Sequence, residues 1–265
     1  MNAFPFTTAD LPFLNEFQQP GWGDITTHFN FYLSQPFCFA IKIVADKKII
    51  GIGAYVLHDD VAWLAHIIVH ADYRNKGTGR YITQCLVDSL KGKCETIYLI
   101  ATDMGEPVYK KVGFVVEADY LFFNNGNFGK DQQISENIKP CSDNYLSEIK
   151  ELDKEVYGEN REMHFLEYMA ESSVFIENNK VQGFYLPKFG DGLILSKNPI
   201  AGTELMKLRS KAFENFIFPS ENKVAASCLL SNNYVQYRIA KRMRLGKERK
   251  WIPENIYNRV SGQIG

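Results

Sequence analysis

The sequence has few cysteines, no long apolar run and almost no net charge. Its five cysteines are odd in number and lack CxxC spacing, which argues against a disulfide scaffold or a zinc ribbon and predicts reduced thiols in a cytoplasmic protein. The longest apolar stretch, about residues 49–57, is less than half of the roughly 20 residues that a membrane helix needs, so no membrane partner is expected. With 30 basic and 31 acidic side chains, no global field exists to attract a nucleic acid.

The composition is that of a globular protein with ample core-forming residues. Of 265 residues, 45% are hydrophobic, 14% aromatic and 23% charged, which excludes disorder as a description of the whole chain. At about 150 residues per domain, this length predicts one large domain or two small ones. The basic residues within 241–250 lack regularly interleaved aromatic residues, so we expect a solvated face there and no nucleic-acid partner.

The first half predicts an α/β domain with a mixed sheet. After a short capped helix, three strands joined by tight turns predict an antiparallel meander over residues 37–44, 49–57 and 61–69. A glycine-containing loop then leads into a helix over residues 79–90. A strand, a short helix and a last strand follow, so helices and strands alternate around one sheet.

The second half repeats this order of elements with little residue identity. The stretch NNGNFGKDQQ, residues 124–133, has the composition of a linker. We interpret residues 1–130 and 131–265 as two tandem domains, each a mixed, mostly antiparallel twisted sheet flanked by helices. In the second domain the spacing predicts a helix over residues 202–216, a strand over 223–230 and a helix over 232–243.

One segment indicates a ligand-binding site. It is RNKGTGR, residues 74–80, which lies between a predicted strand and a predicted helix. Glycines let backbone N–H groups turn toward a ligand, and the first turn of the next helix adds unpaired N–H groups and the positive end of its dipole. With three basic side chains beside it, this loop suits a diphosphate, although it matches neither the ATP loop GxxxxGK[ST] nor the dinucleotide pattern GxGxxG. Downstream, ATDMGEPVYKKVGF, 101–114, places Tyr-x-x-x-Gly-Phe at the end of a short helix.

Together, RNKGTG and YKKVGF resemble the GNAT superfamily of N-acetyltransferases. RNKGTG is similar to the family's Q/R-x-x-G-x-G/A loop, which binds the pyrophosphate of acetyl-CoA. The strand before that loop splays from its neighbour in the family, so that pantetheine pairs with exposed backbone groups. ATDMGEPVYKKVGF resembles members with a second, degenerate GNAT-like half, and DKEVYGENR, 153–161, resembles a motif of that half. The resemblance thus covers the whole chain, most strongly residues 1–130.

The resemblance implies a set of site residues. The pantetheine arm and acetyl group would lie along Ile68, Val69 and Ala71, with the Val69 amide stabilising the oxyanion. Tyr109 matches the family's tyrosine acid for the departing thiolate. The pyrophosphate would be bound by Arg74, Asn75, Lys76, Gly77, Thr78, Gly79 and Arg80. Acetyl-CoA is then the co-substrate, no metal is expected, and a primary amine of a small molecule or peptide attacks directly in a ternary complex.

The sequence does not assign the general base. Relatives often hold Glu or His at the positions of Trp63 and Ala65, and neither side chain here can accept a proton. His66 is adjacent, but strand alternation points it to the other face unless a bulge resets the phase. The remaining alternatives are Asp103, Glu106, His28 and water.

Two other segments bear on the site. Four aromatic residues follow the first predicted helix: Trp22, His28, Phe29 and Tyr32. They form either an acceptor-side lid or part of the core. In the second half, SKNPIAGT, 196–203, stands where a phosphate loop would lie, with one glycine instead of two and with Pro199, which lacks a donor N–H. We therefore expect no acetyl-CoA in its usual place there.

The sequence predicts an acetyl-CoA-dependent N-acetyltransferase, monomeric or homodimeric. The alternative is a CoA-binding sensor or scaffold without turnover, which the missing base at Trp63 and Ala65 favours and Tyr109 disfavours. Transfer of a longer acyl group also stays open. The fold predicts the reaction class and not the acceptor.

Overall fold

The computed structural model describes residues 1–129 and 133–265, so residues 130–132 of the predicted linker lie outside it. The strands are β1 (Asn2–Pro5), β2 (Cys38–Ala45), β3 (Lys48–His58), β4 (Val61–Val69), β5 (Thr96–Ala101), β6 (Val115–Asn124), β7 (Ile138–Pro140), β8 (Ser173–Glu177), β9 (Lys180–Leu186), β10 (Leu193–Ser196), β11 (Phe216–Pro219), β12 (Val235–Gly246) and β13 (Ile256–Asn258). The α-helices are α1 (Ile25–Ser34), α2 (Thr78–Ser89), α3 (Glu106–Lys110), α4 (Leu146–Tyr157), α5 (Phe165–Tyr168), α6 (Pro199–Ser210) and α7 (Lys223–Ser231). Across the described ranges, none of these helices has the length and apolar character to cross a membrane.

The chain forms two compact units, each assembled from separate segments. The first comprises Met1–Glu117, Arg242–Glu248 and Gly262–Ile264. The second comprises Ala118–Lys241, Arg249–Ser261 and Gly265. The tandem domains 1–130 and 131–265 stay a prediction.

The sheet of the first unit is built on the predicted meander. β2, β3 and β4 pair antiparallel in chain order, and β1 adds antiparallel to β2. β5 lies parallel to β4, and β12 follows β5 in the sheet. Because alternate strand residues point to opposite faces, α1 packs on one face with Ile52 and Val56, and α2 packs on the other with Ile41 and Ile43.

The sheet of the second unit is antiparallel throughout its described pairs. Its strands run in the order β13, β10, β9, β8 and β7. β11 pairs antiparallel with residues 120–123 of β6. α6 and α7 pack side chains such as Leu205, Met206 and Leu229 into one apolar cluster with Phe216 and Phe218. The predicted fold class, α/β with mostly antiparallel sheets flanked by helices, is confirmed.

The DKEVYGENR segment fixes the end of α4. The helix ends at Tyr157 and is capped by Gly158, whose φ is 68°, and a Cβ on Gly158 would lie 2.1 Å from the carbonyl oxygen of Lys250. The chain then returns so that Arg161 Nε donates to Asp153 Oδ2 at 3.1 Å, with a second bond from Nη2 to Oδ1. The guanidinium also stacks 3.4 Å from the ring centre of Tyr157. A glycine turn and a buried ion pair therefore explain the motif structurally.

Two elements near the end of the chain differ from the prediction. Residues 223–230, predicted as a strand, form α7, which Asn222 caps by accepting from Ala225 N–H at 2.8 Å. The alanines in this short apolar run favour a helix. Residues 232–243, predicted as a helix, mostly belong to β12, where Val235, Tyr237 and Ile239 recur with strand spacing. The predicted helix over 202–216 is displaced, since α6 begins at Pro199 and ends at Ser210.

The basic run 241–250 was predicted to be a solvated face, but part of it is buried. Arg242 is fully buried, and its guanidinium lies 4.0 Å from the ring centre of Tyr98 and 5.1 Å from that of Trp63. Its Nε donates to Glu117 Oε2 at 2.7 Å. The prediction is wrong for Arg242 because this segment is a strand within the sheet, so alternate side chains enter the core.

Candidate active site

β4 and β5 separate after a short paired stretch. Their parallel register runs from Val61 with Thr96 to Trp63 with Tyr98. β4 then continues to Val69 in antiparallel register with β3. Residues 64–69 thus extend past the register with β5, and this separation leaves an edge of β4 where an extended ligand could pair with backbone.

The backbone of Val69 faces that edge. His70 N–H donates to the Ile50 carbonyl at 3.0 Å, which makes Gly51 and Val69 a non-hydrogen-bonded antiparallel pair. In such a pair the N–H and C=O point away from the partner strand, so the Val69 amide points away from β3. Ile68 lies opposite Ile52, and its side chain is buried in the core under α1. Its place along the acetyl-CoA arm stays a prediction.

The glycine loop continues from the end of β4. Asn75 and Gly77 adopt left-handed conformations with φ of 60° and 84°, and Gly77 is the residue before α2. A Cβ at Gly77 would meet no atom within 4 Å, so the space beside the loop is open. Thr78 is buried and its hydroxyl donates to the Tyr73 carbonyl at 3.2 Å. The first N–H groups of α2 lack partners within the helix and carry the positive end of its dipole.

The basic side chains of the loop are exposed. Arg74 Nε donates to the Val69 carbonyl at 3.2 Å, and its Nη2 donates to Gln19 Oε1 at 3.1 Å. Lys76 Nζ donates to the Asp72 carbonyl at 2.9 Å, while Arg80 lies exposed in the first turn of α2. Ala71 is exposed in the turn that joins β4 to the loop. Arg74 thus links the loop to the open edge of β4.

Tyr109 lies on α3, which packs beside the same strand end. A Cβ at Gly79 would contact Val69 Cγ2 at 3.6 Å and Val108 Cγ1 at 3.8 Å, so strand, loop and α3 meet there. The Tyr109 ring lies so close to Gly105 that a Cβ on that glycine would be 2.7 Å from it. Burial raises the pKa of Tyr109 to about 12, so the hydroxyl keeps its proton at neutral pH.

β4 contains a bulge at His66. Its register with β3 skips from Ile68 opposite Ile52 to Ala65 opposite Ala54, and the φ of His66 is 47°. The extra residue resets the alternation, so Ala65, His66 and Ile68 all lie on the α1 side of the sheet. The bulge condition that the sequence left open is therefore met, and His66 faces the same side as Ala65.

His66 belongs to a group of polar and aromatic side chains that we call the imidazole cluster: Trp22, His28, Tyr32, His66 and Gln263. Its Nδ1 lies 2.7 Å from the Tyr32 hydroxyl, and its ring centre lies 4.7 Å from that of His28. Trp22 makes an edge contact with it at 5.8 Å, and Gln263 Nε2 donates to His28 Nδ1 at 3.0 Å. Burial, and then the neighbouring His28, lower the pKa of His66 to about 3, so its ring is neutral at physiological pH.

The aromatic residues proposed as either lid or core, three of which lie on α1, divide between core and surface. Phe29 and Tyr32 are buried in the core, whereas Trp22 is 39% exposed and His28 is half-buried. Among the other base candidates, Asp103 is exposed and Glu106 Oε1 lies 2.6 Å from Lys110 Nζ. Trp63 is fully buried, 5.1 Å from the ring centre of Tyr98.

In the second half, residues 196–203 stand where the glycine loop would lie, and side chains of the protein itself contact their backbone. The Asn198 carboxamide oxygen accepts from the Ile200 N–H at 2.8 Å and the Ala201 N–H at 3.3 Å. A Cβ at Gly202 would lie 2.2 Å from the Tyr257 ring, so this glycine serves packing. That the second half does not hold acetyl-CoA stays a prediction, and both contacts favour it.

Comparisons with known proteins agree with this geometry. Residues 37–116, which include β2 to β5, α2 and α3, match the profile of the acetyltransferase (GNAT) domain. A Pyrococcus horikoshii crystal structure described as a candidate acetyltransferase is 22% identical, covers 100% of this chain and 95% of its own, and has a TM-score of 0.83. No curated protein matches the chain.

Two further structures also align over most of the chain. A tandem GNAT protein from the clavulanic acid biosynthesis pathway is 10% identical, with 94% of this chain and 99% of its own covered and a TM-score of 0.63. A GCN5-related N-acetyltransferase from Anabaena variabilis is 11% identical, with coverages of 92% and 72% and a TM-score of 0.61. Residues 37–116 therefore resemble the GNAT acetyltransferase domain, and the chain has the GNAT fold along its whole length.

Proposed function

We propose that this protein transfers the acetyl group of acetyl-CoA to a primary amine of a small molecule or peptide, by direct attack in a ternary complex. The observation that carries the proposal is the Val69 amide, which points to the open edge of β4 directly before the glycine loop and the start of α2. Acetyl-CoA has a thioester, an extended amide-bearing arm and a diphosphate, and these three features suit the three parts of the site in that order.

The chain's own groups suit each step of the transfer. The amine lone pair attacks the thioester carbon, and the carbonyl electron pair moves to oxygen, where the Val69 N–H can donate. When the carbonyl re-forms, the carbon–sulfur bond breaks and the thiolate leaves with the bonding pair. Tyr109, protonated at neutral pH, can donate a hydrogen bond to that sulfur, and the amine proton passes to a base. The products are the amide and CoA.

The exposed cations and the helix start would hold the diphosphate. Arg74, Lys76 and Arg80 supply positive charge, and the amides of 75–80 supply donors that glycine leaves accessible. Arg74 would exchange its present bond to the Val69 carbonyl for the ligand, which frees that carbonyl for the pantetheine arm. A cytoplasmic location is part of the proposal, since the five cysteine thiols are free.

Thermal unfolding with and without acetyl-CoA, followed by a screen of amines for CoA release, tests the proposal. Ligand at about 100 times its dissociation constant should add about 2.7 kcal/mol of apparent stability. A shift together with CoA release on one amine class supports the proposed transfer. A shift without release on any amine would instead support a CoA-binding sensor, and no shift would contradict the CoA site itself.

Replacing Tyr109 with Phe should lower kcat about tenfold while acetyl-CoA affinity stays nearly unchanged. The CoA thiolate is already a good leaving group, because thiols of this kind have pKa values near 8.5. The lost hydrogen bond is therefore worth only about 1.4 kcal/mol at the transition state. Because the pKa of Tyr109 is about 12, the wild-type kcat should show no loss up to about pH 10. Full activity of the variant on a good acceptor would overturn this role.

A further inference from the structure

Arg259 in the second unit is a nearly buried arginine whose hydrogen bonds are incomplete. Its side chain belongs to a residue only 9% exposed, and its Nε donates to Asp191 Oδ2 at 3.2 Å. Its Nη1 is buried and has no hydrogen-bond partner among the residues that the structure describes. A guanidinium carries five N–H donors, and buried donors of native proteins nearly always have a partner. The remaining donors of Arg259 therefore suit an acceptor that comes from outside the chain.

The backbone around Arg259 is held by buried hydrogen bonds. Arg259 N–H donates to the Ile217 carbonyl at 2.8 Å, and the fully buried Asn258 accepts from the Ile217 N–H at 2.8 Å. Asn258 Nδ2 also donates at 2.8 Å to the carbonyl of Gly192, the residue after Asp191. The Arg259 guanidinium is thus anchored both through its backbone and through its carboxylate partner. A donor that is already fixed loses little conformational entropy when an anion binds.

A second arginine lies beside the same aromatic ring as Arg259. The guanidinium carbons of Arg238 and Arg259 lie 4.8 and 5.2 Å from the ring centre of Phe122. The two cations are therefore within about one Debye length of each other, roughly 10 Å at 0.1 M salt. Arg238 is exposed on β12 and forms no ion pair with the described residues, so Asp191 compensates only one of the two charges. Positive charge remains in excess beside Phe122, where an anion would be stabilised.

An exposed aromatic side chain lies next to the two arginines. Tyr237 is 53% exposed, and its ring makes an edge contact at 6.1 Å with the buried ring of Phe122. We call Phe122, Tyr237, Arg238 and Arg259 the arginine–aromatic site, and all four residues belong to the second unit. The planar fork of an arginine matches the two oxygens of a carboxylate, and an exposed ring favours a flat apolar group. A carboxylate on a flat apolar body matches both features.

We propose that the arginine–aromatic site binds a small organic carboxylate whose body is flat and apolar. Arg238 binds the two carboxylate oxygens as a fork, Arg259 donates to one of them from its free N–H groups, and the apolar body packs on Tyr237. The inference goes beyond the proposed acetyl transfer, because the site lies within the second unit and its ligand needs no acetyl-CoA. No covalent bond forms or breaks in this binding.

Benzoate is the probe, and benzamide is its neutral counterpart of nearly the same shape. Both are titrated against the full chain without acetyl-CoA, with binding followed by ligand-observed NMR. We expect a Kd of about 1 mM for benzoate, the scale expected of so small a ligand, and at least about tenfold weaker binding of benzamide. Equal binding of the two would overturn the role of the charge. Displacement of benzoate by equimolar inorganic phosphate would mean that any anion fits, and would overturn the proposed ligand class.

Arg238→Gln removes the exposed charge of the site. We expect the Kd for benzoate to rise at least about tenfold, because a charge-assisted bidentate contact is lost. Since Arg238 is exposed and forms no ion pair with the described residues, the urea midpoint should stay nearly unchanged. Lys211→Gln is the matched control: it removes one exposed positive charge from the same unit, directly after α6, and should keep the Kd within about twofold. Unchanged benzoate binding in Arg238→Gln would overturn the inference.

Arg259→Lys separates ligand binding from the ion pair with Asp191. A lysine keeps a positive charge for Asp191 but lacks the planar fork, so the free donors of Arg259 are lost. We expect benzoate binding to weaken about tenfold, the effect of losing a hydrogen bond to a charged group. If Arg259 served only to pair with Asp191, the lysine variant would bind benzoate like the wild type. That result would contradict the proposed contact between Arg259 and the ligand.

Discussion

Gly77→Glu should abolish acetyl-CoA binding while leaving the protein folded. Gly77 has a φ of 84° and lies in the loop at the start of α2, where a Cβ would meet no atom within 4 Å. The new carboxylate would therefore project into the open space beside the loop, where the diphosphate is proposed to lie. Steric overlap and repulsion between anions act together there, so we expect no thermal shift at acetyl-CoA concentrations that saturate the wild type, and no CoA release.

Gly92→Glu is the matched control for this variant. Gly92 also has a positive φ, 74°, and open space around its Cβ direction, but it follows α2 at the end far from the loop. Each variant adds one negative charge and one residue in left-handed conformation, at a cost of roughly 1–2 kcal/mol. Their ligand-free stabilities should fall alike, and only Gly77→Glu should lose the acetyl-CoA shift. Retention of that shift in Gly77→Glu would mean that the loop does not hold the diphosphate.

The first half was predictable because its patterns are local. Three strands with tight turns fix a meander, and a glycine loop before an amphipathic helix fixes the strand–loop–helix order that the structure contains. The bulge at His66 was not predictable, since the residues around it read as an ordinary buried strand and only pairing with β3 reveals the extra residue. Gln263 was missed because its contact with His28 joins the two ends of the sequence.

The errors in the second half have a physical cause. Residues 223–230 and 232–243 are short segments whose local pattern fits either a helix or a strand. Tertiary pairing decides between them: β12 gains its hydrogen bonds within a sheet, and Arg242 gains Glu117 and two aromatic rings. Composition alone predicts that a basic run is solvated. The sequence does not show which neighbouring strand will supply a carboxylate to Arg242.

Asp153→Asn should lower the free energy of unfolding of the second unit by up to about 3–5 kcal/mol, the usual cost of breaking a buried ion pair by removing one partner. Side chains Asp153 and Arg161 are 1% and 0% exposed, and two hydrogen bonds join them. Burial disfavours the charged guanidinium, but the Asp153 carboxylate outweighs it and raises the pKa of Arg161. Arginine keeps its proton in proteins, so Asp153→Asn leaves a buried charge that has lost this carboxylate, and urea unfolding should measure the cost directly.

Glu155→Gln on the same helix is the control for Asp153→Asn. Glu155 pairs with Lys197 at 2.9 Å, but both side chains are about half exposed, so its loss should cost less than about 1 kcal/mol. Equal effects of the two variants would contradict a structural role for the DKEVYGENR motif. The double variant Asp153→Leu with Arg161→Met removes both charges and keeps the apolar volume, so it should recover most of the lost stability. Such recovery would mean that the motif stabilises this unit through charge compensation between Asp153 and Arg161.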